Sequence, residues 1–444
     1  MKDWLSAHPE IRTIRVAAAD LNGQARGKRI PARYASKAVQ GGARMPLSAL
    51  NLDIWGQDIE GSPLVFESGD ADGILRPPER GFLPMPWLEA PSALLPVWMF
   101  GEDGQPFDGD PRHALARVLD GYAARGLRPV VATELEFYLV DDGDAELQVP
   151  RCPRSGKRRA TTDTLSLPAL DAFDPFFTDL YEACEAMGIP ADAAISEAGR
   201  GQFEINLLHG ADALKAADDA WLFKLLVKGL ARNHGFAASF MAKPYPDQSG
   251  NGLHVHFSVL DGGGANIFDD GGADGTPALR HAIAGCLGAM RESTLLFAPH
   301  ASSYDRLVPS AHAPTGVAWG YENRTTARRV PGGNPRARRI EHRVAGGDIN
   351  PSLLLAGVLG AALHGLADAA EAPEPIIGNA SERDLAQLPA SWPEAIDLFE
   401  GSATMARIFP AQLVENLVMT KRQELRMIEA LTPPERLELY LETV

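Results

Sequence analysis

Four stretches of the chain alternate apolar and polar residues with the period of a β-strand. In chain order they read VATELEFYLV, GQFEINLL, GLHVHFSV and RRIEHRV. Because successive side chains of a strand point to opposite faces, residues at positions i and i+2 lie on the same face. Each stretch therefore predicts a strand with one apolar face and one polar face.

The polar faces of these strands are candidates for binding a metal or another ligand. Their paired residues are Glu134 and Glu136, Glu204 and Asn206, His254 and His256, and Glu341 and Arg343. For any single pair, an antiparallel sheet with one hydrated face is the simpler explanation. Four pairs that supply carboxylates, imidazoles and a guanidinium instead favour a shared cavity for a divalent metal and an anionic ligand.

Helical segments precede three of these strands. Asp110 can cap a helix that begins at Pro111 and ends at Gly126, ahead of a strand over 129–140. The same order recurs with DPFFTDLYEACEAMGIP ahead of residues 197–207, and with ALKAADDAWLFKLLVKGLARNHG ahead of the His254 strand. Long helices packed on an antiparallel sheet predict an α+β catalytic domain.

The first hundred residues follow a different pattern. In IRVAAADLNGQARGKRI, Asn22-Gly23 lies between strand-like flanks, which predicts a hairpin in a small β-rich domain. From Gly61 to about Gly104 the chain is dense in proline and glycine, as in extended segments that lead to a boundary. We therefore divide the chain into an N-terminal domain, 1–105, and a catalytic domain, 106–444.

Composition and charge exclude several classes of protein. The 444 residues, 45% hydrophobic and 23% charged, are typical of a soluble globular protein with two domains. A net charge of -16 argues against binding nucleic acid or an anionic membrane. The three cysteines lack close spacing, which indicates a reducing compartment and no structural zinc. The start MKDWLSAHPE lacks a signal-peptide core, and the longest apolar run, Leu353 to Leu363, is too short to span a bilayer, so we expect a cytoplasmic protein.

Familiar nucleotide and nucleophile motifs do not account for the chemistry. The fragment SGKRR at 155–159 lacks the upstream glycine of a P-loop, and Arg158 stands where a Ser or Thr would hold magnesium. The sequence has no G-x-G-x-x-G after a strand and no G-x-S-x-G elbow. Dehydrogenase and serine-hydrolase interpretations therefore lose their support.

The candidate ligands are mostly oxygen donors. They are Glu134, Glu136, Glu197, Glu204, Glu341 and His254. Such a set suits Mg²⁺ or Mn²⁺ better than zinc or copper, and five carboxylates are enough for two or three ions that bridge phosphate oxygens. The Arg-rich segment NRTTARRVPGGNPRARRIEHR could bind phosphates bidentately; an arginine run is usually only solvated, but this one runs directly into Glu341.

Six segments in order resemble the glutamine synthetase superfamily across nearly the whole chain. They are ELEFYL, SEAGRGQFEINL, GNGLHVHFS, SSYDRLVP, NRTTARR and RRIEHR. The resemblance implies an N-terminal β-grasp domain and a catalytic domain whose antiparallel strands form a funnel, entered by ATP at one end and glutamate at the other. In such enzymes the γ-carboxylate of glutamate is phosphorylated and then attacked by an amine. The resemblance also implies a homo-dodecamer of two stacked hexameric rings with shared active sites, in which the closing ERLELYLETV docks on the opposite ring.

The same resemblance assigns roles to individual residues. One metal would be held by Glu136, Glu197 and Glu204, and the second by Glu134, His254 and Glu341. Arg306 of SSYDRLVP resembles the arginine that binds the glutamate α-carboxylate, beside Gly250 and Gly252, and Arg343 resembles the one next to the γ-carboxylate. The nucleotide-side residues would be His256, Ser258, Arg324, Arg329 and Arg339; their alternative is an ordinary hydrogen-bonded strand pair for His256 and Ser258. Arg343 and Arg324 would act in catalysis.

Departures from the family pattern bear on the substrate. Ammonia-using members carry GYEAP where this chain reads SAHAP, so His312 replaces a glutamate that closes the site and helps to deprotonate ammonium. Their DGSS-type loop has no clear equivalent in MPLSALNLDIWG, where Asp53 is the candidate. Loss of two acids weakens ammonium capture and leaves room for a larger amine.

We therefore expect an ATP-dependent ligase that joins glutamate to a primary amine, either a polyamine or a monoamine, through γ-glutamyl phosphate. The segment SAHAPTGVAWGYENRT resembles the γ-glutamylpolyamine synthetase branch, which points to polyamine catabolism and nitrogen metabolism. His312 would serve as the base. The alternatives are a glutamine synthetase that uses ammonia and a catalytically inactive homologue, and the six retained metal ligands argue against the second.

Overall fold

The structure, a computed structural model, describes residues 2–143, 147–161, 164–309 and 313–444. Its strands are β1 (Thr13–Ala19), β2 (Ala25–Pro31), β3 (Ala43–Pro46), β4 (Asp72–Arg76), β5 (Leu83–Pro84), β6 (Ser92–Pro96), β7 (Trp98–Phe100), β8 (Arg128–Val140), β9 (Ala191–Ser196), β10 (Gln202–Gly210), β11 (Ala237–Ser239), β12 (Leu253–Leu260), β13 (Trp319–Tyr321), β14 (Arg328–Val330) and β15 (Ile340–His342). Its helices are α1 (Lys2–Ala7), α2 (Ala35–Val39), α3 (Pro63–Phe66), α4 (Pro111–Ala123), α5 (Leu167–Asp171), α6 (Asp174–Met187), α7 (Ala213–Asn233), α8 (Pro277–Gly288), α9 (Thr294–Phe297), α10 (Pro351–Asp368), α11 (Trp392–Glu400), α12 (Ala403–Ile408), α13 (Ala411–Glu429) and α14 (Pro433–Thr443).

The first hundred residues form two small sheets, in the strand orders β2-β1-β6-β5 and β3-β4-β7. Strands β1 and β2 are an antiparallel hairpin with Ala19 opposite Ala25, and Gly23 supplies the positive φ of 76° that the turn requires. The predicted hairpin and β-rich first region are thus confirmed. The proposed boundary at residue 105 falls between β7 and α4, and the division at that residue stays a prediction.

The larger sheet follows the strand order β13-β14-β15-β12-β8-β10-β9, with β11 paired to β8. Its pairs are antiparallel except β13 with β14. Long helices cover its apolar face, where Phe137 of β8 lies 5.6 Å from Phe240 and 6.3 Å from Phe223 of α7, measured between ring centroids. Burying aromatic rings on one face leaves the other face of each strand for polar side chains.

Local signals explain where the helices begin and end. Asp110 accepts a hydrogen bond from Arg112 N at 2.8 Å, so it caps α4 as predicted. The helix ends at Ala123, earlier than expected, and Gly126 with φ 67° instead forms the turn into β8. The α10 helix is long and apolar enough to cross a membrane, but 78% of it is buried inside the protein, as in a core helix.

The helix α13 joins the first region to the rest of the chain. Glu424 is fully buried and accepts hydrogen bonds from Asn22 Nδ2 at 2.7 Å and Ile54 N at 2.8 Å. Lys421, also buried, pairs with the same carboxylate at 2.8 Å. These contacts join α13 to Asn22 and Ile54 of the first region, and removal of one partner of such a buried ion pair is strongly destabilising.

The closing helix α14 packs on its own chain. Gln24 Nε2 donates to Thr443 O at 2.6 Å, and both Tyr440 and Val444 are buried. The docking of this segment on another ring stays a prediction.

Candidate metal and substrate site

The strand register brings the predicted polar pairs into one row. Glu204 of β10 lies opposite Glu136 of β8, and His254 of β12 lies opposite Glu134. Residues directly opposite in neighbouring strands present their side chains on the same face, so the four carboxylate and imidazole groups converge. The residues that the sequence pattern places on one face of each strand therefore lie on one face of the sheet.

Two further carboxylates complete the cluster. On the other side of β12, Glu341 of β15 lies opposite His256. Glu197 follows the end of β9, where its backbone N–H donates to Gln202 O at 2.9 Å. Burial and, after it, the charge of Glu136 raise the pKa of Glu197 to about 7, as is typical of a buried carboxyl near another acid.

Glu134 binds both histidines of β12. Its Oε2 is 2.9 Å from His254 Nδ1 and its Oε1 is 2.8 Å from His256 Nε2. Burial raises the pKa of the Glu134 carboxyl, but the hydrogen bonds from His254 and His256 outweigh burial and leave the pKa below its usual range. Glu134 therefore favours the anionic form, the form in which a carboxylate can bind a metal.

Donor atoms in the row have the spacing of metal sites. One group consists of Glu134, His254 and Glu341, and a second of Glu136, Glu204 and His254; in each, the candidate atoms all lie within 4.8 Å of one another. The first group is the predicted second-metal set. The second group contains two of the three residues predicted for the first metal, with Glu197 nearby.

The concentration of negative charge in the cluster favours the binding of a cation. Burial raises the pKa of Glu204, and the charges of Glu134, Glu136 and Glu197 raise it further. Crowded carboxylates repel one another unless a positive charge lies between them. This donor set, which is rich in oxygen and includes the imidazole of His254, fits Mg²⁺ or Mn²⁺.

Arginines surround the Glu341 side of the row. Arg343, directly after β15, and Arg329 of β14 both donate to the Glu341 carboxylate, the latter at 2.9 Å. Arg339 Nε donates to His256 Nδ1 at 3.2 Å. Each of these guanidinium groups retains further N–H groups that can bind phosphate oxygens.

Two of the predicted nucleotide-side residues lie farther out. Arg324 is exposed, and its charge adds to the hydrogen bond from Gly332 N and the charge of Arg329, which lower the pKa of Glu322. Ser258 lies on β12 opposite Val130, two residues beyond His256, and is half-buried. Their roles stay predictions.

On the Glu136 side of the row, two glycines lie close to a buried arginine. Gly252 N donates to Glu136 Oε2 at 2.6 Å, and a Cβ at Gly252 would lie 2.8 Å from Arg306 Nη2. A Cβ at Gly250 would lie 2.9 Å from Arg306 Cγ. The two glycines thus let a buried arginine approach the carboxylate row, and a side chain at either position would displace it.

Gln202 belongs to the site and was missing from the predicted set. Its Nε2 donates to Gly250 O and to Asn251 Oδ1, both at 3.0 Å, and lies 3.5 Å from Glu136 Oε2. A signal was present in the sequence, because Gln202 continues the i, i+2 alternation of Glu204 backwards by one step.

The candidate acid Asp53 is not available to an amine. Its side chain is fully buried and accepts from Trp55 N at 3.0 Å, Gln57 N at 2.9 Å and Gln423 Nε2 at 2.9 Å. These bonds hold a turn and tie it to α13. The hypothesis that Asp53 replaces the ammonium-binding aspartate is therefore wrong for this chain. His312 lies outside the described residues.

The chain is similar in sequence and in fold to known proteins of one family. The family model for the glutamine synthetase catalytic domain matches residues 108–440. The chain is 36% identical to gamma-glutamylputrescine synthetase PuuA of Escherichia coli, over 99% of this chain and 94% of the relative, and 33% identical to gamma-glutamylethanolamide synthetase GlnA4 of Streptomyces coelicolor, over 96% and 92%. A solved structure, apo GmaS without ligand, superposes with a TM-score of 0.84 at 27% identity over 97% of both chains.

Proposed function

The chain belongs to the glutamine synthetase family, which confirms the predicted α+β fold class, and we propose that it is an ATP-dependent ligase that joins the γ-carboxylate of glutamate to a primary amine. One observation carries the proposal. Along β8, the carboxylate row has Arg306 with its two glycines beside Glu136, and Arg339 with His256 beside Glu134. The two polar residues of one strand thus separate an amino-acid side from a phosphate side.

Glutamate would bind on the Arg306 side. The Arg306 guanidinium is buried, and its Nη1 donates to Val344 O at 2.6 Å. Its Nη2 faces the space over Gly252. An arginine fork of this kind binds a carboxylate group such as the α-carboxylate of an amino acid.

Phosphoryl transfer would take place between the two sides. A γ-carboxylate oxygen attacks the γ-phosphorus of ATP, the bond to the β-phosphate oxygen breaks, and ADP leaves. Arg329, Arg339 and Arg343 stabilise the charge on the transferred group, since all three lie around Glu341 and His256. Mg²⁺ or Mn²⁺ held by the six carboxylate and imidazole ligands would neutralise the phosphate oxygens.

The amine would complete the reaction. After losing a proton, its nitrogen attacks the carbonyl carbon of γ-glutamyl phosphate, and phosphate leaves as the amide bond forms. On the basis of the sequence, we propose that His312 is the base that accepts this proton, because imidazole titrates near neutral pH. The names of the relatives, which contain putrescine and ethanolamide, and the fully engaged Asp53 both support an organic amine over ammonia. We further propose that the protein assembles as a dodecamer and is located in the cytoplasm. Its reaction would belong to polyamine catabolism.

A screen of amines tests this function. Purified protein is supplied with ATP, Mg²⁺ and glutamate, and ADP release is measured with ammonia, putrescine, ethanolamine or a branched monoamine. The expected result is release that depends on glutamate and on an organic amine, with a γ-glutamyl amide detected by mass spectrometry. A kcat/KM for ammonia above that for every amine would instead identify a glutamine synthetase, and absence of any glutamate-dependent release would support the inactive homologue.

A further inference from the structure

The arginine assigned to glutamate extends from the end of a short 3₁₀ turn, Ala301–Asp305. Arg306 closes this turn, and its backbone N–H donates to Ser303 O at 3.3 Å. At the other end of the side chain, Nη1 donates to Val344 O at 2.6 Å. The direction of Nη2 therefore depends on what fixes the turn and on what fixes Val344.

Ser303 attaches the turn to the interior of the protein. Its hydroxyl accepts a hydrogen bond from His300 N at 3.1 Å and donates to Asp348 Oδ2 at 2.5 Å. Ser303 and Asp348 are 1% and 2% exposed, so water does not replace the bond between them. This one hydroxyl thus joins the start of the turn to a carboxylate outside it.

The two attachment points of Arg306 belong to one loop. Val344 and Asp348 both lie in the segment VAGGD, residues 344–348, which directly follows Arg343. The loop therefore binds the guanidinium through Val344 O and the turn through the Asp348 carboxylate. A movement of the turn relative to this loop would change the angle at which the arginine side chain crosses between them.

The loop 344–348 is itself fixed to the segment that contains Gly252. Gly346 forms an antiparallel bridge with Gly252, and Gly347 N donates to Asn251 O at 3.1 Å. A Cβ at Gly347 would lie 2.7 Å from Phe240 O, so the loop packs closely against this backbone. The loop and the Gly252 segment are thus held together, and the hydroxyl of the turn is bonded to that assembly.

We propose that Ser303 and Asp348 are positioning residues for the amino-acid substrate. Their hydrogen bond fixes the turn on the loop 344–348, so that Arg306 is directed toward the substrate carboxylate. The inference rests on the proposed function in taking glutamate as that substrate. Both residues act through Arg306 and do not themselves touch the substrate.

The test compares Ser303→Ala with the wild type. Alanine removes the hydroxyl and leaves the backbone of the turn able to form. Binding of glutamate and of a non-hydrolysable ATP analogue is measured by calorimetry with Mg²⁺, which does not require turnover. Loss of one buried hydrogen bond that orients the arginine predicts a glutamate Kd higher by about tenfold. The Kd of the ATP analogue should change by less than about twofold.

Ser402→Ala is the matched control. Ser402 is also buried, donates to a carboxylate, that of Glu292, and accepts a backbone N–H, that of Met405 at 2.9 Å. Its substitution therefore removes the same kind of hydroxyl from a part of the chain with no role in the proposed site. It should leave both dissociation constants as in the wild type, and thermal unfolding verifies that each variant is folded.

A double-mutant cycle tests whether the two residues act through one bond. Asp348→Ala removes the acceptor of the Ser303 hydroxyl and should weaken glutamate binding at least as much as Ser303→Ala does. If the hydrogen bond is the means of positioning, the double variant should bind glutamate no more weakly than Asp348→Ala alone. If Asp348→Ala does not fold, the comparison of Ser303→Ala with Ser402→Ala decides the inference.

The possible results are distinguishable. A glutamate Kd in Ser303→Ala equal to that in Ser402→Ala overturns the inference. An equal loss of affinity for glutamate and nucleotide overturns it too, by showing a general structural role, and so do fully additive losses in the double variant. A wild type that binds no glutamate overturns it together with the proposed function. A wild type that binds glutamate without ligating any amine removes the proposed function alone, since the effect of Ser303→Ala on the glutamate Kd still decides the inference.

Discussion

Arg329 donates a hydrogen bond to Glu341 across the β14–β15 pair, 2.9 Å from Nη1 to Oε2. Its Nη2 donates to Glu322 at 3.1 Å, and Glu322 adopts a left-handed backbone with φ 51°, which is uncommon for a residue other than glycine. A proposed phosphate-binding arginine is thus held in one orientation between a proposed metal ligand and a strained loop residue. Its two carboxylate partners fix the plane of the guanidinium.

The first prediction follows from this geometry. Arg329→Lys should raise the KM for ATP by about tenfold or more, since lysine offers a point charge in place of two directed N–H pairs and a hydrogen bond to a charged group contributes about 1.5–3 kcal/mol. The KM for glutamate should change little. Initial rates of ADP release measure both constants. Arg336→Lys, a change at an exposed position of the same segment, is the control; equal effects of the two substitutions would contradict a specific role for Arg329.

The second prediction concerns the carboxylate row. Mn²⁺ should raise the melting temperature of the wild type, and Glu204→Gln should lose most of that increase because it removes one ligand. Differential scanning fluorimetry with and without Mn²⁺ is the measurement. An undiminished Mn²⁺ effect in the variant would remove Glu204 from the metal site.

The same variant has a pH signature without metal. Burial and the charges of Glu134, Glu136 and Glu197 hold the folded-state pKa of Glu204 above its ordinary value of 4.5. The folded state therefore retains a proton that the unfolded state releases, so metal-free stability falls as pH rises above 4.5. Glu204→Gln removes this cost, and its stability relative to the wild type in chelator should be higher at pH 8 than at pH 5.

The third prediction separates the two substrates. Arg306→Ala should raise the KM for glutamate far more than that for ATP, since loss of an arginine from a buried carboxylate pair costs about 2–5 kcal/mol. Gly252→Ala should act in the same direction, because its Cβ would lie 2.8 Å from Arg306 Nη2. Steady-state kinetics with each substrate varied in turn give the comparison. Parallel increases in both constants would reassign Arg306 to a structural role.

The fourth prediction tests the connection between α13 and the first region. Glu424→Gln leaves Lys421 buried without its counter-charge, and breaking a buried ion pair typically costs about 3–5 kcal/mol. The free energy of unfolding in urea should fall by that order. Glu415→Gln, at an exposed position of α13, should leave it unchanged. A similar free energy of unfolding in both variants would show that the ion pair does not stabilise the fold.

The row of candidate metal ligands was predictable because it depends on local geometry. Alternation places Glu134 beside Glu136 and His254 beside His256, and an antiparallel sheet then brings the two strands together with little freedom. The burial and hydrogen bonding of Asp53 were not predictable, because its partner Gln423 lies 370 residues away in the sequence. In the sequence, the turn that contains Asp53 resembles a loop that could face a neighbouring subunit. The strained backbone of Glu322 and the bond from Ala301 to Tyr440 likewise depend on tertiary contacts that leave no periodic signal.

The last prediction concerns the choice between an organic amine and ammonia. His312 stands where ammonia-using members carry a glutamate, and Asp53 is engaged in its own turn, so the chain supplies neither of the two expected acids to an ammonium ion. The wild type should therefore use ammonium poorly. His312→Glu should raise kcat/KM for ammonium relative to that for larger amines, because a carboxylate beside the attacking nitrogen attracts the cation and accepts its proton. His312→Gln separates charge from size, since it removes the imidazole without adding an anion, and it should not improve ammonium use. Competition between ammonium and the preferred amine, with both amide products quantified by mass spectrometry, measures the preference directly. An unchanged product ratio in His312→Glu would place His312 away from the amine and leave the ligase assignment standing.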